Sequence, residues 1–197
     1  MEKVEVNIGG WIQGGISLYK ENLPVLVLAS LVAVGLSVVT GAILAGPMMA
    51  GLVYIALALY DQQTPKPQVG DVFKGFRYFL NSFLFVLVWG LGTTVASAIL
   101  HVIPIIGQLA GMILSLLVPA VLMFSLFLIV ERDTPFWPAS MESIAVVRTN
   151  FWPFVGFGVL LTIISSIGAL AFGVGIIFTL PLALCINVVA YREVFGR

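Results

Sequence analysis

Ser97 and His101, one helical turn apart, are the pair of residues best suited to chemistry in this sequence. His101 is the only histidine, and an imidazole beside a hydroxyl can activate it as a nucleophile. No acid is available nearby to orient the imidazole, so we expect no catalytic residue. His101 then reads as a polar residue at a helix end, with a pH-sensitive or substrate-contacting group as the alternative. One histidine cannot supply the paired ligands of an HExxH zinc site, and we expect no metal and no cofactor.

Neutral polar side chains inside apolar stretches form a second group. They could line a cavity for a polar or amphipathic ligand, or bond across helices, which is the commoner role in membranes. Asn187 stands out because an amide in hydrocarbon needs partners on both ends. The group comprises Thr93, Thr94, Ser97, Ser115, Ser125, Thr162, Ser165, Ser166, Thr179 and Asn187.

Cations that could contact a phosphate or lipid headgroup are Lys74, Arg77 and Arg148. A patch for anionic lipid would hold four to eight basic residues together, whereas here acids and bases alternate closely, so solvated surface charge is the alternative role. The formal net charge is zero and no basic run occurs, so we expect no nucleic-acid partner.

The charged residues that frame these groups lie in four short islands: Glu2 to Glu21, Asp61 to Arg77, Glu131 to Arg148 and Arg192 to Arg197. Three uncharged tracts of 39, 53 and 43 residues separate them. A membrane-spanning helix needs about 20 apolar residues, so each tract can cross twice and return to the same face. With 60% hydrophobic and 9% charged residues, the composition predicts an all-α, polytopic transmembrane bundle in one domain covering 1–197.

Six crossings follow from the positions of glycine and proline within the tracts. We predict turns at Gly46-Pro47, at Pro104 to Gly107 and from Gly168 to Gly175. The crossings are then Leu23–Ala42, Pro47–Tyr60, Phe79–Ile103, Gln108–Val130, Phe151–Leu170 and Gly173–Ala190.

All nine Lys and Arg residues fall on one side of this arrangement. The positive-inside rule makes that side cytoplasmic, with both termini. Trp11, Trp137 and Trp152 lie at the same face, as an aromatic belt at the membrane interface would. We expect a multi-pass protein of the bacterial inner membrane.

The islands also share an order of features that predicts three repeats, over 5–61, 70–131 and 139–193. Each would contain an amphipathic helix in the headgroup plane and then a transmembrane hairpin that ends in an acid. Val72, Phe76, Phe79 and Leu80 mark one face of the second amphipathic helix, and Asp71 and Ser140 are expected helix N-caps. Gly9, Gly10, Gly14 and Gly15 weaken the helical prediction for the first. The alternative is that any protein built from amphipathic helices and hairpins shows this order.

From Leu116 onward the sequence resembles a known group of proteins. The segments are Val118-Pro-Ala-Val-Leu-Met-Phe-Ser-Leu-Phe-Leu-Ile-Val-Glu-Arg132 and Trp137-Pro-Ala-Ser-Met-Glu-Ser-Ile-Ala-Val-Val-Arg-Thr-Asn-Phe151. They resemble uncharacterised bacterial membrane families related to the membrane domain of glycerophosphodiester phosphodiesterases. The resemblance covers roughly 80 residues. It implies six crossings and no catalytic residues, since catalysis in those phosphodiesterases belongs to a separate soluble domain.

Charge-free crossings argue against ion-coupled transport and proton relays, which need ionisable groups at depth. We therefore expect a non-enzymatic scaffold or accessory subunit that binds membrane lipid, a membrane-protein partner or a second copy of itself. The alternative is a transporter or channel for a neutral or amphipathic solute.

Overall fold

The computed structural model describes residues 6–170 and 175–196, and every regular element in these ranges is helical. The elements are α1 (Ile8–Glu21), α2 (Leu23–Val39), α3 (Ala45–Tyr60), a 3-10 helix (Val69–Tyr78), α4 (Phe79–Phe85), a π-helical segment (Val86–Leu91), α5 (Gly92–Leu100), α6 (Ile106–Val121), α7 (Ser125–Arg132), α8 (Phe136–Thr149), α9 (Phe151–Leu170) and α10 (Ile176–Phe195).

Four helical stretches are long and apolar enough to cross a membrane: Val69–Leu100, Ile106–Arg132, Phe151–Gly168 and Ile176–Phe195. Helices α1 and α2 reach that length only together, and they are bent by 88°. Helix α3 is apolar but has 16 residues. The protein is thus all-helical, and its several long apolar helices identify it as a multi-pass membrane protein.

The first turn does not lie where the sequence predicted it. Gly46 and Pro47 are inside the first turn of α3, and the chain reverses before them, at Gly41 and Ala42, which have φ of 59° and 69°. Proline is tolerated in a first helical turn because the N–H it lacks would have no partner there. The second turn falls at His101–Ile105, next to the predicted position, and the third lies largely outside the described residues.

The three short amphipathic segments each pack on a different long helix. Helix α1 lies on α10, the 3-10 helix on α3, and α8 on α7. Glycines permit two of these contacts: a Cβ at Gly15 would overlap Ile186, and one at Gly75 would overlap the backbone of α3 near Gly51. Of the glycines that weakened the prediction of α1, Gly14 and Gly15 therefore form its contact with α10, whereas Gly9 and Gly10 are exposed.

The 3-10 helix changes which residues of its segment are buried. With three residues per turn, Val72, Gly75 and Tyr78 form the buried stripe. Phe73, Phe76 and Phe79 form an exposed stripe of stacked rings, with centroids 6.3 Å apart at both steps. The predicted common face of Val72, Phe76, Phe79 and Leu80 assumed 3.6 residues per turn and was wrong, because Val72 is buried and the other three are exposed.

Both predicted N-caps also lie elsewhere in their helices. Asp71 is the fourth residue of a capping box, where its carboxylate accepts from the Gln68 N–H at 2.7 Å. Ser140 is inside α8, where its hydroxyl donates to the Phe136 carbonyl at 2.7 Å. Both side chains satisfy backbone groups, but at other positions than predicted.

Candidate functional site: an intramembrane cavity

A cavity of about 580 Å³ lies among the long helices. Its wall is formed by parts of α3, α4, the π-helical segment, α5, α6, α7, α9 and α10, and most of its lining is aliphatic or aromatic. Cavities of 300 to 1,000 Å³ are typical of small-molecule sites in proteins. This is therefore the candidate binding site of the molecule.

Seven of the ten neutral polar residues singled out in the sequence line this cavity. They are Thr93, Thr94, Ser115, Thr162, Ser165, Ser166 and Asn187. The other three do not: Ser97 donates to the Gly111 carbonyl at 3.4 Å, Thr179 to the Ser165 carbonyl at 3.1 Å, and Ser125 is fully buried. Polar residues from four helices are thus brought to one site.

Asn187 fastens the cavity wall where the helix of Ile106–Arg132 is broken. The break, between α6 and α7, follows Pro119 and leaves backbone groups to be satisfied at residues 121–124. Asn187 Nδ2 donates to the Met123 carbonyl at 2.9 Å, and the Ser143 hydroxyl donates to the Val121 carbonyl at 2.8 Å. Asn187 Oδ1 is buried and has no hydrogen-bond partner among the described residues. Asn187 is therefore a link between helices, with one acceptor left over.

Trp89 is a lining residue that the sequence reasoning missed. It lies in the π-helical segment, where one wider turn displaces it from a regular helical position, and such segments occur frequently at functional sites. Its indole N–H donates to the Ser140 hydroxyl at 2.9 Å, and its ring stacks on Trp137 at 5.9 Å. A signal was present: a tryptophan in mid-crossing needs a partner for its N–H.

The cavity is closed at one end and open at the other. Near the end where the charged residues gather, its lining includes Phe127 and Asn187, which are buried. Thr94, Ser115 and Ser166 lie 15 or 16 residues along their helices from that end, counted from Phe79, Glu131 and Phe151, or about 23 Å at 1.5 Å per residue. These three are exposed, so a ligand has access from the half of the bundle opposite the charged end.

A buried ion cluster joins the charged ends of three helices beneath the cavity. Arg192 of α10 donates to Asp61 at the end of α3, at 2.6 Å, and to Glu131 of α7. The Arg192 side chain is only 6% exposed, and those of Asp61 and Glu131 are 14% and 21% exposed. The islands that the sequence treated as surface charge therefore supply a cluster inside the fold. Its members are 61 and 131 residues apart from Arg192, and sequence spacing alone gave no signal for it.

Ser97 and His101 are close in space, but the hydroxyl does not meet the imidazole. The Ser97 hydroxyl points to Gly111, and His101 Nδ1 lies 2.6 Å from the backbone carbonyl of Ser97. His101 is exposed and packs beside Gly111 at the start of α6. The imidazole therefore contacts a backbone carbonyl near the end of α5 and does not activate the hydroxyl as a nucleophile.

The candidate headgroup cations lie in different surroundings. Lys74 is held by Asp71 at 2.9 Å and by the Tyr54 hydroxyl at 3.2 Å. Arg77 lies 3.7 Å from Asp133 with both side chains largely exposed, and Arg148 is exposed on α8. Lys74 and Arg77 thus each have an acidic partner, and all three cations are exposed at the surface.

The three predicted interface tryptophans differ in their exposure. Trp137 and Trp152 are 52% and 79% exposed, whereas Trp11 is completely buried. Trp11 packs on Phe157 with ring centroids 4.8 Å apart and donates its indole N–H to Glu193 at 2.7 Å. Its expected position in an aromatic belt is therefore replaced by one in the core, because α1 folds onto α10 and covers it.

The chain matches no protein-family model, no curated protein and no solved structure. The fold and the site therefore define a class of protein and not a family. The class is a multi-pass helical membrane protein with a cavity that is lined by uncharged residues and open at one end.

Proposed function

We propose that this protein is a non-enzymatic membrane protein that binds a lipid or another amphipathic molecule in its cavity and acts as a scaffold or accessory subunit. The observation that carries the proposal is the cavity itself, with aliphatic and aromatic walls and a group of hydroxyls at its open half. An amphipathic molecule matches both parts of such a lining. The separation of the Ser97 hydroxyl from the imidazole supports a non-enzymatic role.

A proposed topology places this site in the membrane. We place six crossings at α2, α3, 69–100, 106–132, α9 and α10, in a bacterial inner membrane with both termini in the cytoplasm. Helix α1 is bent by 88° from α2 and runs beside the last turns of α10, at the charged end. The location of all cations in the islands supports the orientation.

The three-unit repeat is part of the same proposal. Each amphipathic segment packs on the second helix of the preceding hairpin, and α1 closes the circle by packing on α10. The acids that end the first two units, Asp61 and Glu131, meet at Arg192 in the third. A circular order of equivalent contacts is what three parallel repeats about one axis would produce. The relationship to the membrane domain of glycerophosphodiester phosphodiesterases also stays a proposal, which rests on the segments around Glu131.

Occupancy of the cavity can be tested by native mass spectrometry of the gently purified protein. We expect retained lipid or amphiphile on the wild type and a loss of it in Gly90→Leu, because Gly90 lines the cavity and has room for a side chain. Gly35→Leu is the matched control, since Gly35 is also an exposed helical glycine with open space around its Cβ but lies on α2, away from the lining. Equal retention in both variants would contradict the proposal. The same spectra give the subunit number, which tests a homo-oligomer.

One observation favours a transporter as the second candidate. A cavity open at one half and closed at the other by buried residues such as Phe127 and Asn187 has the form of one state of an alternating-access pathway. Solute-specific flux in proteoliposomes, abolished by Gly90→Leu and retained in Gly35→Leu, would establish transport and overturn the scaffold proposal.

A further inference from the structure

We infer that the cavity selects a neutral amphiphile whose headgroup donates hydrogen bonds, such as an alcohol, over amphiphiles of the same chain length that are charged or can only accept. This inference rests on the proposed function, because it names the class of ligand for the same cavity. It follows from the hydrogen-bonding capacity that remains in the lining once the protein's own bonds are counted.

Most donors in the lining are already used within the protein. The hydroxyls of Thr94, Ser115 and Thr162 donate to backbone carbonyls of their own helices at 2.8, 2.9 and 2.9 Å, and that of Thr93 donates to the Trp89 carbonyl. The Trp89 indole N–H and Asn187 Nδ2 are engaged as well. The hydroxyls of Ser165 and Ser166 have no hydrogen-bond partner within the described part of the chain and can act as donors or acceptors. The lining therefore has few free N–H or O–H groups to offer a ligand.

Acceptors, by contrast, are in surplus. A hydroxyl has one hydrogen and two lone pairs, so each of the four engaged hydroxyls still offers acceptor capacity. Pro119 lacks the N–H that would bond to the Ser115 carbonyl four residues earlier, so that carbonyl is without its regular helical donor. An alcohol and its methyl ether, which share an alkyl chain but have a hydrogen or a methyl group on the oxygen, should therefore bind differently.

The lining also disfavours ionic headgroups. Among the described residues that line the cavity there is no Asp, Glu, Lys, Arg or His. A charge moved from water into such surroundings without a counter-ion is strongly disfavoured. Fatty carboxylates and alkylammonium ions should therefore bind less well than the neutral alcohol.

A competition among four amphiphiles with the same alkyl chain tests the inference. The purified protein is offered an equimolar mixture of dodecan-1-ol, dodecyl methyl ether, dodecanoate and dodecylamine, and the bound species are counted by native mass spectrometry. We expect the alcohol to exceed the ether about fivefold for each hydrogen bond formed, since a net hydrogen bond contributes about 1 kcal/mol. Dodecanoate and dodecylamine should be minor species.

Variants test whether the hydroxyls of the cavity lining produce the preference for the alcohol. Thr94→Val and Ser115→Ala should move the ratio of alcohol to ether toward one, whereas Thr94→Ser, which keeps the hydroxyl, should retain it. Ser37→Ala is the control, because the Ser37 hydroxyl also donates to the carbonyl four residues earlier but lies on α2, outside the cavity. Equal binding of alcohol and ether, or preferred binding of either ion, would overturn the inference and leave the proposed function intact. If no amphiphile in the mixture binds, the proposed function itself fails.

Discussion

At the scale of single residues, Arg192 is the most deeply buried member of an ion cluster in the described structure. Its guanidinium bonds to both Asp61 and Glu131 and is almost fully buried. Removing one partner of a buried ion pair leaves an uncompensated charge, which costs about 3–5 kcal/mol. We expect Arg192→Ala to lower the free energy of unfolding by that amount, as measured by denaturation in mixed micelles.

A variant in which all three charged side chains of the cluster are replaced by neutral ones should be compared with Arg192→Ala. Apolar or amide side chains of similar volume can replace a buried ion group at little cost, so the triple variant Asp61→Asn, Glu131→Gln, Arg192→Met should recover much of the loss. Arg132→Met serves as the surface control, because Arg132 pairs with Glu142 at 2.9 Å while 43% exposed, and exposed pairs contribute at most about 1 kcal/mol. Equal losses in Arg132→Met and Arg192→Ala would contradict the assigned importance of the cluster.

Trp11 gives a second prediction at this scale, because its indole joins α1 to α10. Trp11→Phe retains most of the ring packing against Phe157 but removes the N–H that bonds to Glu193 at 2.7 Å. We expect a loss of about 1–3 kcal/mol in the free energy of unfolding, since a hydrogen bond to a carboxylate is stronger than a neutral one. Trp152→Phe, at a side chain 79% exposed, should change stability by no more than a few tenths of this. A loss at Trp11 no larger than the loss at Trp152 would contradict the role of Trp11 in holding α1 on α10.

At the scale of elements, the contact between the 3-10 helix and α3 depends on glycine. A Cβ at Gly75 would overlap the carbonyl of Pro47 and the backbone of Gly51, neither of which can move without shifting α3. Gly75→Ala should therefore destabilise the fold by about 1–3 kcal/mol, the usual cost of overpacking. Gly70→Ala, in the same 3-10 helix with open space at its Cβ, is the matched control. Thermal unfolding of the two variants compares them directly, and similar midpoints would show that the contact is loose.

How far the sequence predicts these elements depends on what each one needs. Apolar length alone predicts the long helices, and α10 extends past its predicted end at Ala190 only by one charged turn. Periodicity fails at Val69–Tyr78, because a repeat of three and one of 3.6 are hard to separate over ten residues. Pro119 marks the break between α6 and α7, but the groups that bond to the break and to the π-helical segment, such as Ser143 and Ser140, are distant in the chain. Local sequence does not contain that information.

The cavity, too, could be predicted from the sequence only in part. The polar residues that line it could be selected from sequence, because Thr94, Ser115 and Asn187 interrupt apolar stretches. Their grouping could not, since it follows from how separate hairpins pack against one another. The meeting of Asp61, Glu131 and Arg192 is equally unpredictable from sequence, although each of them stands at the end of an uncharged tract.

At the scale of the whole molecule, the charged end and the open half of the cavity lie at opposite ends of the bundle. The proposed orientation makes the charged end cytoplasmic, which means that the cavity opens toward the outer half of the membrane. Gln68 is exposed beside the charged end, and Val102 is 80% exposed at the turn between α5 and α6. Cysteines placed at these two positions therefore report on opposite faces.

Labelling of intact cells with a thiol reagent that does not cross the membrane distinguishes the two orientations. We expect Val102→Cys to react from outside and Gln68→Cys to react only after the membrane is permeabilised. The native Cys185 is fully buried, so it should contribute little background, and the unmodified chain measures what remains. Labelling of Gln68→Cys in intact cells would show that the orientation is the reverse of the proposed one. The cavity would then open toward the cytoplasmic half, so any amphiphile it binds would come from the inner leaflet.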